Sequence, residues 1–188
     1  MYKTKYKLHW DILMNRIKSY QTLINLVEME NIYMDYSSVL NTVINQEKEL
    51  LFDHFSNDDA FELGMILYNL AKEKNLPVTI EITKNTQIVF HVALPGTAQD
   101  NDTWLARKAK LVTRMGKSSF RIGLELKKDG ISLEEAYGLT LADYAAHGGC
   151  FPVNLKNTGI IGTIGVSGLE QSKDHDLVIE GIKKWLYK

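Results

Sequence analysis

Six glycines fall within two neighbouring runs, Ala146-His147-Gly148-Gly149-Cys150-Phe151-Pro152-Val153 and Gly159-Ile160-Ile161-Gly162-Thr163-Ile164-Gly165-Val166-Ser167-Gly168. Glycine inside a strand gives up side-chain packing and backbone entropy, so a strand that carries Gly162, Gly165 and Gly168 must gain from close approach of something else. Read with period two, Ile160, Gly162, Ile164 and Val166 share one face, and Ile161, Thr163, Gly165 and Ser167 share the other. The second face is small and partly polar. It can admit a ligand, a packed helix or a neighbouring subunit.

The elements around this core read as follows. Leu40, Val43, Ile44, Leu50 and Leu51 fit an amphipathic helix over 38–54. Ser56 with Asp59 resembles a capping box opening a second helix, whose stripe is Ala60, Leu63, Leu67, Leu70 and Ala71 and whose stop is Asn75-Leu76-Pro77. Val78, Ile80 and Ile82, then Ile88, Phe90 and Val92, alternate with other residues around Lys84-Asn85-Thr86-Gln87 and predict a hairpin. Asp100 or Asn101 caps a helix running to Met115, where Gly116 ends it. Helices are expected over 118–127 and from Ser132, with a Ser132 to Glu135 capping box. A last helix runs from about Lys173 to Tyr187, with Val178, Ile182 and Trp185 inward. Antiparallel hairpins with helices segregated between them predict a single α+β domain over 39–188. Residues 1–38 read as an N-terminal extension, either a helix that docks on a partner or the product of too early a start, with Met34 the true first residue.

Composition narrows the functional classes. The 188 residues carry a net charge of −1, with 45% hydrophobic and 24% charged residues, which lacks the basic excess a phosphate backbone demands. No nucleic acid partner is expected. The single cysteine, Cys150, excludes an intramolecular disulfide and the common thiolate zinc sites, and suits a reducing compartment. The apolar N-terminal stretch is broken by Asp11, Arg16, Lys18, Glu28 and Glu30, so neither a signal peptide nor a membrane span is expected, and a cytoplasmic location follows.

Three histidines stand at punctuated places: His91 on a strand, His147 before a double glycine, and His175 between two aspartates. Imidazole serves as general base, metal ligand or axial haem ligand, and also as an ordinary hydrogen-bonded side chain. Their spacing matches no metal motif. Arg107, Lys110 and Arg114 recur on one helical face, either as a solvated stripe or as a cationic surface for carboxylates or phosphates. Lys108 lies on the other face with Trp104, Leu111 and Met115, where its ammonium needs a partner such as a carboxylate. Cys150 reads as a buried, inert thiol, and Gly162-x-x-Gly165-x-x-Gly168 lacks the lysine and the order of a nucleotide loop.

Taken in order, Gln46-Glu47 with Leu50, Phe55-Ser56 through Ala60 and Gly64, Leu94-Pro95-Gly96-Thr97, Asp100-Asn101 with Trp104, Arg107-Lys108, Ser118-Ser119, Tyr144 with His147-Gly148-Gly149, Phe151-Pro152, and Gly159 through Gly168 into Asp174-His175 resemble the haem-degrading-domain family. This GlcG-like group includes haem-binding extracellular proteins and the C-terminal domain of one class of cobalamin adenosyltransferases. The likeness covers roughly 40–187 and is closest to a short, cytosolic, uncharacterised branch. The resemblance implies a profilin-like antiparallel sheet flanked by helices, assembly into homo-oligomers, and binding of haem or another tetrapyrrole. It marks a pocket from His91, Arg107, Lys108, His147, Gly148, Gly149, Phe151, Thr163, Gly165, Ser167 and His175.

Three functions are therefore carried forward. One is a binding domain for haem or a related planar cofactor in an apolar slot against the small strand face, with a histidine facing iron and Arg107 or Lys108 neutralising propionates. Another is an enzyme on a small anionic metabolite, with His91 or His147 as acid and base and Arg107 orienting the anion. The last is an assembly or adaptor protein in which the glycines permit close subunit packing.

Overall fold

The computed structural model describes residues 36–188, with Lys18 alone before them. By contacts the chain divides into Met1–Val39 and Leu40–Lys188, and the second unit is described below. The expectations for residues 1–38, including the alternative start at Met34, lie almost wholly outside the described residues.

Helix α1 (36–49) leads into an extended stretch. The predicted helix over 38–54 ends early because Leu50, Phe52 and Phe55 are all buried, with Phe52 bridging Leu155 at the edge of the sheet. Helix α2 (Asn57–Glu73) opens with the expected capping box, Ser56 Oγ accepting from the Asp59 amide and Asp59 Oδ2 accepting from the Ser56 amide. Strands β1 (Thr79–Lys84) and β2 (Gln87–Ala93) form the hairpin. Asn85 and Thr86, both at positive φ, make its two-residue turn, the backbone sense that suits the twist of a hairpin.

Helix α3 (Gln99–Met115) starts slightly before the predicted cap. Asn101 caps it from inside, its Oδ1 accepting from the Ala98 amide, while the Asp100 carboxylate accepts from the Trp104 indole. Helices α4 (Ser119–Asp129) and α5 (Leu133–Tyr137) follow, with Ser118 and Ser132 as N-caps. Strands β3 (Cys150–Leu155) and β4 (Gly159–Ser167) and helix α6 (Gln171–Leu186) complete the chain.

The four strands are antiparallel in the order β2-β1-β4-β3, and the fold class is α+β as predicted. On one face, α2 and α6 bury Leu63, Leu67, Val178 and Ile182 against Ile80, Ile82, Phe151, Ile164 and Val166. On the other lies α3. A smaller cluster of Leu111, Ile122, Leu126, Leu133 and Leu139 ties α3 to α4 and α5.

Strand β4 departs from strict alternation. Gly162 pairs with Val153, but the next β3 residue, Asn154, pairs with Ile160, so β4 carries one extra residue there. Such a bulge reverses which face the following side chains take. Ile161 therefore packs with Ile164 and Val166 on the α2/α6 side, whereas Ile160 reaches Gly116 at the end of α3. The small face of Thr163, Gly165 and Ser167 is covered by a helix: Leu105 Cδ2 lies 2.8 Å from where a Cβ on Gly165 would stand. Of the three possible occupants of that face, the structure places a packed helix there.

Candidate functional site

Lys108 and Asp174 form a buried ion pair between α3 and α6, 3% and 2% exposed. Lys108 Nζ donates to Asp174 Oδ2 at 3.0 Å and to the Val166 carbonyl of β4 at 3.2 Å. The other Asp174 oxygen accepts from the Leu169 amide at 3.0 Å. Burial raises the Asp174 carboxyl above its ordinary range, while Lys108 and the Leu169 and Gly168 amides pull it down. The carboxylate that Lys108 requires on its buried face is thus Asp174, from the same chain.

Gly148 and Gly149 make this meeting possible. Gly149 has φ +108, and a Cβ on it would collide with the Val166 carbonyl and stand 2.7 Å from Asp174 Cβ and 2.9 Å from Lys108 Nζ. A Cβ on Gly148 would strike the Gln171 carbonyl at the start of α6, whose side-chain Oε1 accepts from the Gly148 amide. The double glycine lets the chain pass between α3 and α6.

His147, just before it, stands between two cavities. The larger, about 480 Å³, is lined mainly by apolar groups, among them Leu126, Ile131, Leu133, Leu139 and Leu141, with Lys127 and Glu134 also contributing. The smaller, about 250 Å³, is more polar: Asp100, Asn101, Trp104, Ser167 and Gln171 surround it, and Lys108 and Asp174 also line it. His147 meets the Trp104 ring edge to face, centroids 5.0 Å apart, and its Nδ1 is buried without a hydrogen-bond partner among the described residues. Burial, then the positive charges of Lys108, Lys127 and Arg107, hold the His147 pKa below the usual imidazole value. Both effects favour the neutral ring.

The cationic stripe on α3 is tied to the segment before His147. Arg107 Nη1 donates to the Leu141 carbonyl at 3.0 Å, and its guanidinium lies 4.1 Å from the Trp104 ring centroid. Lys110 reaches Asp143 at 3.7 Å, and Arg114 lies over Tyr144. These contacts hold residues 141–144 against α3.

Other sequence-nominated residues stand apart. His91 lies on the α3 side of the sheet, partly exposed, with Nε2 2.7 Å from Asp102 Oδ1, and lines neither cavity at His147. Phe151 is in the α2/α6 core, and Thr163 is buried with its hydroxyl 2.8 Å from that of Thr83. Cys150 is a buried thiol whose pKa burial pushes up to about 12, as an inert cysteine requires. His175 is 1% exposed between Phe120 and Phe151, with Nε2 2.9 Å from Gln46 Oε1. Of the nominated set, the structure gathers Lys108, His147 and Ser167 around the cavities, with Arg107 and the two glycines behind them.

His175 carries a pH prediction. Burial lowers its pKa from 6.5 to about 4, so the unfolded chain takes up the proton first. Its contribution is intact above pH 6.5 and falls by about 3 kcal/mol as the pH drops to 4. Urea midpoints at pH 7 and pH 4.5 should therefore differ more for the wild type than for His175→Gln. Equal differences would show that His175 does not set this part of the acid response.

Asp174 and Gln171 were not singled out in the sequence as site residues. The available signal was the need of Lys108 for a carboxylate together with the position of Asp174 in the Asp174-His175 motif. The apolar wall from α4, α5 and Leu141 had no local signal, since each of its residues reads as ordinary core.

Comparison with known proteins agrees with this architecture. A UPF0303 protein of Azotobacter vinelandii is 48% identical over 149 residues, spanning 79% of this chain and 90% of that one. Among solved structures, the Ybr137w protein superposes with a TM-score of 0.73 at 31% identity, over 79% of this chain and 87% of that one. PduOC, crystallised as a complex with heme, has the same fold at 18% identity, with a TM-score of 0.59 over 68% of this chain and 92% of its own. The family model described as "Haem degrading protein HbpS-like" matches residues 55–183. On this match over most of the chain and the identity to the UPF0303 protein, the chain belongs to the HbpS-like haem-degrading protein family, in its UPF0303 branch.

Proposed function

We propose that this protein binds haem or a related planar tetrapyrrole in the apolar cavity beside α4 and α5, with His147 facing the ring. The observation that carries this reading is the meeting of the His147 imidazole, whose burial favours the neutral form, with a cavity of about 480 Å³ walled mainly by aliphatic side chains. That size is within the usual range for small-molecule sites, and a mostly apolar wall with a few polar groups is their common composition. The residues fit the group in three respects. The wall is aliphatic, Lys127 can reach acidic side groups at the rim, and burial of His147 Nδ1 leaves Nε2 as the nitrogen for a ligand. This slot replaces the one expected against the Thr163 to Ser167 face, which α3 fills.

Within the site, His147 would position the ring, Trp104 would hold the imidazole plane, and Arg107 would keep the 141–144 wall in place through the Leu141 carbonyl. Bound there, haem would supply iron redox chemistry. We further take the protein to act in the cytoplasm and to assemble with copies of itself. The exposed apolar Phe61 and Ile88, beside and on the outer strand β2, support the second idea.

Titration with haemin, followed at the Soret band, tests the reading. A saturable band at a fixed ratio per chain is expected, weakened at least tenfold in His147→Ala, which is about 1.4 kcal/mol. Leu133→Asp, which places a charge in the wall, should weaken it further. An unsaturable response, or one unchanged in both variants, would remove the tetrapyrrole assignment. Light scattering on the same sample reads the subunit number, and a monomer at all concentrations would reject self-assembly.

A further inference from the structure

The smaller cavity has a different chemistry from the larger one, and the Lys108–Asp174 pair forms part of its lining. A buried ion pair is a poor stabiliser, because well-packed apolar residues of similar volume often do as well or better. This pair, though only 3% and 2% exposed, belongs to the wall of a cavity. The ammonium has three hydrogens, and two are engaged, by Asp174 and by the Val166 carbonyl. The backbone of Gly149 passes close beside the nitrogen, where a Cβ would stand 2.9 Å from it. Trp104 forms one wall, and Asn101, Ser167 and Gln171 supply groups that hydrogen-bond hydroxyls. The carboxylate of Asp100 disfavours an anionic guest, the charge of Asp174 being offset by Lys108, and the volume of about 250 Å³ restricts the guest to a few carbons.

We propose that Lys108 is a nucleophilic amine that captures a small, neutral hydroxyaldehyde or hydroxyketone in this cavity as an imine. Asp174 takes a proton from the Lys108 ammonium, and the neutral amine attacks the carbonyl carbon. The C–N bond forms as the C=O π bond opens, and a proton passes from nitrogen to oxygen to give a carbinolamine. Asp174 then returns its proton to the hydroxyl, the C–O bond breaks, water leaves, and the nitrogen lone pair closes a protonated imine. Ammonium and carbonyl become protonated imine and water, with Asp174 restored. A carboxyl whose burial favours the protonated form is suited to this exchange. The inference does not depend on the tetrapyrrole reading, which concerns the other cavity.

The test uses the full wild-type chain, glycolaldehyde as the probe and sodium cyanoborohydride to reduce any protonated imine to a stable secondary amine. Peptide mass spectrometry then locates the hydroxyethyl group. Lys108 should be modified at least tenfold more than exposed lysines such as Lys110, saturably with aldehyde, and this preference should vanish in urea. Lys108→Arg keeps a cation opposite Asp174 but cannot form the imine; its map should lack the preferred adduct and keep the surface ones. Wild-type Lys108 left unmodified, or modified no more than Lys110, would overturn the proposal whether or not the variant folds.

Discussion

Removing Lys108 alone, as Lys108→Ala, should lower the unfolding free energy by about 3–5 kcal/mol, because it leaves the Asp174 carboxylate buried without its countercharge. Asp174→Ala should cost about as much, since it strands the ammonium and also frees the Leu169 amide. Against a total stability of about 5–15 kcal/mol for a typical domain, either change brings the protein close to unfolding. The double variant Lys108→Met with Asp174→Leu should recover most of the loss, since it removes both charges and keeps apolar volume. Urea denaturation of the four proteins closes a double-mutant cycle. A double variant as unstable as the sum of the singles would mean that the backbone contacts of the pair, to Val166 and Leu169, matter more than its charges.

Gly149→Ala should cost about 3–5 kcal/mol, combining a left-handed backbone position with a Cβ driven into the Val166 carbonyl, Asp174 and Lys108. Gly130→Ala separates the two contributions. Gly130 has φ +66, but a Cβ there meets nothing within 4 Å among the described residues, so its loss should be only about 1–2 kcal/mol. Thermal or urea midpoints of the two variants would measure the difference. Similar losses would show that backbone strain, not crowding at the ion pair, explains the requirement for glycine at 149.

Much of the architecture was readable where the controlling contacts are short-range. The Ser56 and Ser132 caps, the hairpin around Asn85-Thr86 and the stop at Gly116 each depend on residues within one turn of chain. The partner of Lys108 could be specified as a carboxylate from the cost of burying an ammonium, though not located. The reading of β4 failed at Ile160 and Ile161 because a bulge is a property of two paired strands; the extra residue exists only relative to Val153 and Asn154 of β3.

The histidines show the same limit at the level of the site. Their near-neutral reference pKa made all three equal candidates in the sequence, yet His175 is enclosed between two phenylalanines, His91 faces Asp102 in the open, and His147 alone borders the cavities. Burial and neighbouring charge separate them, and both come from elements distant along the chain.

By itself, the sequence determined the element types, the α+β class, the family, and the need for small residues along β4. Periodicity, capping and backbone conformation are encoded within a few residues of each other. The tertiary structure alone decided that α3 would fill the small strand face, that Asp174, 66 residues away, would neutralise Lys108, and that an aliphatic wall would gather opposite His147. A cavity has no sequence of its own, because it is the space left between side chains whose packing is settled only when the whole domain closes.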